Sequence, residues 1–120
     1  VPIGRRAWPA MLLATIVSGC STAPKSFLGL NDPRAIARAR AVSLAGGRPI
    51  AEVVPALIAR LDDTDVAVRI AAFEELKQET RQDFGYVPWG DPEVRKQAVA
   101  RWQNWWKGQQ AALANSHATQ

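Results

Sequence analysis

The chain has little of the chemistry that enzymes and metal centres rely on. One cysteine in 120 residues excludes an internal disulfide, so any fold must stand on packing. One histidine, His117, lies in the terminal stretch "ANSHATQ". It leaves no cluster of imidazoles or thiols to hold a metal and no partner for a nucleophilic serine. A polar tail that frays also gives a general base nothing to hold it in place. The adjacent carboxylates Asp62-Asp63 and Glu74-Glu75 diverge on a helix or cap a turn, and neither pair converges on a substrate. The expectation is a protein without catalytic residues, cofactor or metal. The apolar stretch from Ala10 to Val17 falls far short of the roughly 20 residues that a membrane-crossing helix needs. Aromatic residues make up only 8% of the chain, β-branched residues are sparse and alanine is abundant, a balance that favours helix.

Charge of one sign is also scarce. The formal charge of +4 includes Arg5 and Arg6; without them 13 basic residues face 11 acidic ones, interspersed. Such a surface steers no polyanion, and no nucleic-acid partner is expected. With 48% hydrophobic and 22% charged residues, the chain has room for one small core.

What is present begins with an address. Residues 1–20 run from a basic start through an apolar stretch to the small residues Ser18 and Gly19 and then Cys20, the order of a secretory signal. Val17-Ser18-Gly19-Cys20 resembles the bacterial lipoprotein box. That resemblance implies cleavage before Cys20, a lipid on its sulfur and fatty acylation of the new amino group. Several acyl chains hold a protein stably at a bilayer, whereas one holds it only marginally. The expected organisation is a signal peptide over 1–19 and a lipidated cysteine with a flexible tether over 20–31. A bacterial cell membrane or outer membrane would carry the anchor, with the domain facing the periplasm or exterior.

From Asp32 a phrase recurs. "ARARAVSLA" from Ala37, "VRIAAFEEL" from Val68 and "VRKQAVARW" from Val94 place Arg38, Arg69 and Arg95 in register, 31 and 26 residues apart. Separations of this size mark stacked supersecondary units. Asp32-Pro33 and Asp91-Pro92 pair a capping acceptor with proline at the first helical position, and Asp65 is the natural cap between them. Gly46-Gly47 should end the first helix. Val53, Val54, Leu57, Ile58 and Leu61 form a buried stripe on the next, which Pro55 should kink or start late. On the last helix Val94, Ala98, Trp102, Trp105 and Trp106 share one side, opposite Glu93, Lys96, Gln97, Asn104 and Lys107. Arg69 and Arg95 fall on the apolar sides of their helices, where a guanidinium needs a carboxylate or a set of carbonyls. Asp62, Asp63 and Asp65 are the nearby carboxylates.

The phrase "LDDTDVAVRIAAFEEL", Leu61 to Leu76, resembles the turn and second helix of a HEAT repeat. Gln82 to Trp106 resembles a segment that closes HEAT-like arrays in some bacterial proteins. The resemblance implies an all-α fold, a short α-solenoid of HEAT-like hairpins with about four helices over 32–107, followed by a polar tail over 108–120. It also implies a structural ladder between repeats in which Asp63 meets Arg69 and Asp91 meets Arg95. Arg38 has no matching turn in front of it in this reading.

Phe84, Tyr86, Trp89, Trp102, Trp105 and Trp106 form either an aromatic cap over the last repeat or a binding surface. Aromatic residues at helical spacing favour the cap. The function expected is a membrane-anchored interaction or scaffold module for a protein partner in the cell envelope. So few repeats also leave room for self-association. The alternative is a small-molecule carrier or sensor using the loop around Phe84–Trp89.

Overall fold

The computed structural model describes residues 27–118; Cys20, the expected signal peptide and most of the expected tether lie outside the described residues. Every regular element is helical: a short 3-10 helix, Phe27–Asn31, then α1 (Ala35–Val42), α2 (Ile50–Arg60), α3 (Val66–Thr80) and α4 (Pro92–Ala118). The chain is thus all-α over the described residues. The 3-10 helix packs on α1, α1 and α2 both pack on α3, and α4 packs on α2.

The core is where the spacing placed it. Val53, Val54, Leu57, Ile58 and Leu61 are buried, with Ala72 and Leu76 of α3 and Ala98, Trp102 and Trp106 of α4. Helix α2 starts at Ile50 and continues past Pro55 to Arg60. The ring lies near the first turn on the exposed side, where a missing N–H frees only one early carbonyl. Asp65 caps α3 by accepting from the Ala67 N–H at 2.8 Å, and Asp91 accepts from the Glu93 N–H at 3.0 Å.

Five expectations need correction. The expected tether is folded at its end: Phe27 and Leu30 are core residues, and Arg48 lies over the Phe27 ring at 5.1 Å. Two apolar side chains three apart on a tight helix share one face and find cover. Helix α1 starts at Ala35: the carbonyls of Asp32 and Pro33 accept from Arg38 Nη1, both at 2.9 Å, and the first helical bonds run to the Arg34 carbonyl. It also ends at Val42, ahead of the glycine pair; Gly47 then takes the left-handed φ of +78° that reverses the chain. The segment from Gly108 to Ala118 continues α4 as exposed helix, since "QQAALA" carries the helical propensity to extend an existing helix past one glycine. Val94 is 48% exposed and does not join the buried stripe of α4.

No helix among the described residues is long and apolar enough to cross a membrane.

Candidate functional site

The charged residues singled out in the sequence meet at the turns between the helices. At the centre is Asp63, in the turn between α2 and α3 and 7% exposed. Its carboxylate accepts from Arg38 of α1 at two points, from Nε at 2.8 Å and from Nη2 at 2.9 Å. Arg60 adds a third bond at 3.3 Å and the Asp65 N–H a fourth at 2.9 Å. Burial alone would raise this carboxyl; the Arg38 hydrogen bonds, the Asp65 N–H and the charges of Arg38 and Arg60 outweigh it and hold Asp63 below its ordinary value of 3.8.

The expected pairing of Asp63 with Arg69 therefore takes a different form. The carboxylate belongs to Arg38, and Arg69 takes the main-chain oxygen of Asp63 through Nη1 at 2.7 Å. Its Nε reaches forward to the Pro88 carbonyl, also at 2.7 Å. A guanidinium six residues downstream of a turn, on the inner side of the helix, lies over the peptide oxygens of that turn and not over its side chain. The same holds for the second expected pair: Arg95 Nη1 donates to the Gly90 carbonyl, while Asp91 serves as the cap of α4.

Arg38 repeats this geometry in the preceding unit. Its Nη1 turns back to the carbonyls of Asp32 and Pro33, both at 2.9 Å, while Nε points forward to Asp63. One rule thus describes both arginines: Nη1 ties down the turn before the arginine's own helix, and Nε ties the turn before the next. The signal was present in the sequence, since Asp32 and Asp63 each stand six residues before their arginine. The partner role of Arg38 and the acceptor roles of Pro88 and Gly90 were not anticipated, because main-chain acceptors leave no residue type to read.

The loop between α3 and α4 is an ordered plug. It leaves α3 through Arg81 at φ 60° and turns again at Phe84 and Gly85, with φ 54° and 69°. Tyr86 is buried against Phe73, ring centroids 5.1 Å apart, and its hydroxyl donates to the Leu61 carbonyl at the end of α2. Phe84 meets the face of Trp102 edge-on at 4.8 Å, and Arg101 Nε donates to the Phe84 carbonyl at 3.0 Å. Trp102, Trp105 and Trp106 pack in succession, Trp102 edge-on to Trp105 at 5.9 Å and Trp105 on Trp106 at 6.2 Å. Of the six aromatic residues, only Trp89 stands in solvent, 72% exposed.

Burial pushes the Tyr86 phenol above its ordinary 10.0, with Asp62 adding to the shift and the cations Arg69 and Arg95 opposing it. The stability this represents is complete below that value and is lost as pH rises through the folded-state pKa. Tyr86→Phe leaves the Leu61 oxygen without this donor in a dry site and should cost about 1 to 3 kcal/mol in urea unfolding, with the alkaline loss of stability reduced.

No group of three or more histidine, cysteine, aspartate or glutamate side chains placed to hold a metal occurs among the described residues. The clefts are shallow; one on the outer side of α1 is lined by Gly29, Ile36, Ala37, Arg40 and Leu44. Comparison of the chain with family models, with curated proteins and with solved structures finds no match.

Proposed function

We infer that this chain is a lipid-anchored protein of the bacterial envelope whose small helical domain, a short HEAT-like stack, acts as a non-enzymatic interaction module. The observation that carries the reading is the repeated arginine geometry: Arg38 and Arg69, 31 residues apart, make the same backward and forward bonds from equivalent helices. A chain built by repeating one unit offers its end and edge surfaces to other proteins. The charged groups of the turn edge hold helices together, which suits a scaffold better than a reaction centre. A tether at Cys20 would raise the local concentration of the module near its partner. The carrier reading is less well supported, because the rings of the loop are turned onto one another and leave Trp89 as the exposed one.

The test has two arms. Mass spectrometry of protein taken from native membranes should show a diacylated, N-acylated Cys20, and Cys20→Ala should move the chain from the membrane pellet to the soluble fraction. A site-specific crosslinker at Trp89 should then capture a defined protein neighbour in the membrane. A Cys20→Ala chain that stays membrane-bound overturns the anchor, and the absence of any captured protein overturns the module.

A further inference from the structure

We propose that the open cleft on α1 is the face the domain turns to the membrane, with Arg34 and Arg40 on the phosphates of anionic phospholipids and Ile36 in the apolar layer beneath them. The inference deepens the module reading, and rests on it for the Cys20 anchor alone.

The first support is the distribution of charge. The near balance of the whole chain is not a local one. From Pro33 to Ala51 the chain carries Arg34, Arg38, Arg40 and Arg48 and no acidic residue, whereas from Glu52 onward eight basic residues face ten acidic ones. The four arginines are not equally committed. Arg38 is spent on Asp63 and on the turn carbonyls, and Arg48 pairs with Glu52 at 2.9 Å. Arg34 gives Nε and Nη2 to Asp32, which leaves the donors of Nη1 for another acceptor on a side chain that is 76% exposed. Arg40 is exposed and makes no ion pair among the described residues.

The second support is what lies between these two cations. Arg34 and Arg40 border a cleft whose other lining includes Gly29, Ile36, Ala37 and Leu44. Ile36 and Arg40 stand four apart on one face of α1, and Ile36 is 61% exposed. An arginine beside an exposed aliphatic side chain suits the boundary between headgroups and acyl chains, where the charge stays among the phosphates and the apolar group goes below. The side chains of the cleft offer donors and apolar groups, with no carboxylate, hydroxyl or amide to accept a bond. A phospholipid surface matches that set, because its phosphates only accept. A protein surface brings donors of its own, which this lining has no side chain to receive.

The third support is reach. Cys20 stands seven positions before Phe27, a stretch that spans at most about 25 Å. The 3-10 helix that begins at Phe27 packs on α1 and contributes Gly29 to the cleft. A lipid on Cys20 therefore keeps this cleft close to the headgroups, where charge selects the face that lies against them.

An environment-sensitive fluorophore tests this in the full chain, prepared from bacterial membranes and reconstituted on vesicles. It is carried on Ile36→Cys or, for reference, on Asn104→Cys of α4, both exposed positions; lipidation leaves no thiol at Cys20. The vesicles are phosphatidylcholine alone or phosphatidylcholine with phosphatidylglycerol. The chain should float with both. Emission from position 36 should shift to the blue only where phosphatidylglycerol is present, while position 104 keeps its aqueous value. Arg34→Glu combined with Arg40→Glu should abolish the shift without releasing the chain, and Arg40→Ala should lower the ratio of docked to undocked domain about fivefold. Added salt should act in the same direction. An anchored chain with no shift at position 36, an equal shift at position 104, or a shift indifferent to the two arginines overturns the proposal. So does a crosslinker at Ile36 that captures protein in place of phospholipid. A chain that floats only with phosphatidylglycerol, and only with both arginines in place, removes the anchor and leaves this face standing; one that floats with neither vesicle removes both. Docking of α1 with no protein captured at Trp89 removes the module and leaves this inference.

Discussion

Replacing Asp63 by alanine lowers the unfolding free energy by about 3 kcal/mol, measured by urea denaturation at neutral pH. The reason is the number of groups that depend on one carboxylate: Arg38 through two bonds, Arg60 and the Asp65 N–H. Truncation leaves these donors facing a partly desolvated gap, which costs more than the net worth of the bonds removed. Loss on this scale is a large share of the roughly 5 to 15 kcal/mol that holds a domain folded. Asp63→Asn should fall between the two, keeping an acceptor for the Asp65 N–H but not the charge that suits two guanidinium groups.

The same residue sets an acid limit. The Asp63 carboxyl is held below 3.8 in the folded chain, so its contribution is complete above that value and is lost as pH falls through the folded-state pKa. Asp63→Asn should remove this part of the acid dependence. Glu75 works in the opposite direction: burial, with Glu79 nearby, raises its pKa, and its protonation on acidification favours the folded form. The difference between the native and Asp63→Asn acid titrations isolates the Asp63 contribution.

The second large effect is at Trp102. This side chain is wholly buried and the largest that is; it joins α4 to the loop through Phe84 at 4.8 Å and to Trp105 at 5.9 Å. Trp102→Ala should cost about 3 to 5 kcal/mol, read by denaturation, and should free the loop between α3 and α4 for limited proteolysis. Trp102→Phe should cost less than its lost volume suggests, because the indole N–H has no hydrogen-bond partner and the substitution removes that unsatisfied donor. If both variants unfold at the native midpoint, α4 is not part of the cooperative core.

The ease of reading each element from sequence followed the kind of interaction that fixes it. The α2 stripe and the caps Asp65 and Asp91 were legible because side-chain type decides them: an apolar residue every three or four positions, a carboxylate before the first turn. The start of α1 differs from its sequence signal because the Asp32 and Pro33 carbonyls are taken by the Arg38 side chain, a main-chain contact that composition does not show. Phe27 and Leu30 were not legible because their cover is tertiary, from α1 and from Arg48, and leaves no local period to read. At the turn edge the arginines were visible, but not their partners: Pro88, Gly90 and Leu61 act through peptide oxygens. The arginines of α3 and α4 hold main-chain oxygens, while the Asp63 carboxylate is held from α1 by Arg38.

This choice of acceptor bears on how such a chain drifts over generations. An oxygen of the main chain is supplied by every amino acid, so the positions that receive Arg69 and Arg95 can change identity without breaking the contact, as long as the backbone path survives. Asp63 enjoys no such freedom. Lineages descended from a common ancestor would be expected to vary widely around the later junctions while keeping that one acid, and pairwise sequence comparison would then lose the thread of kinship well before the architecture did.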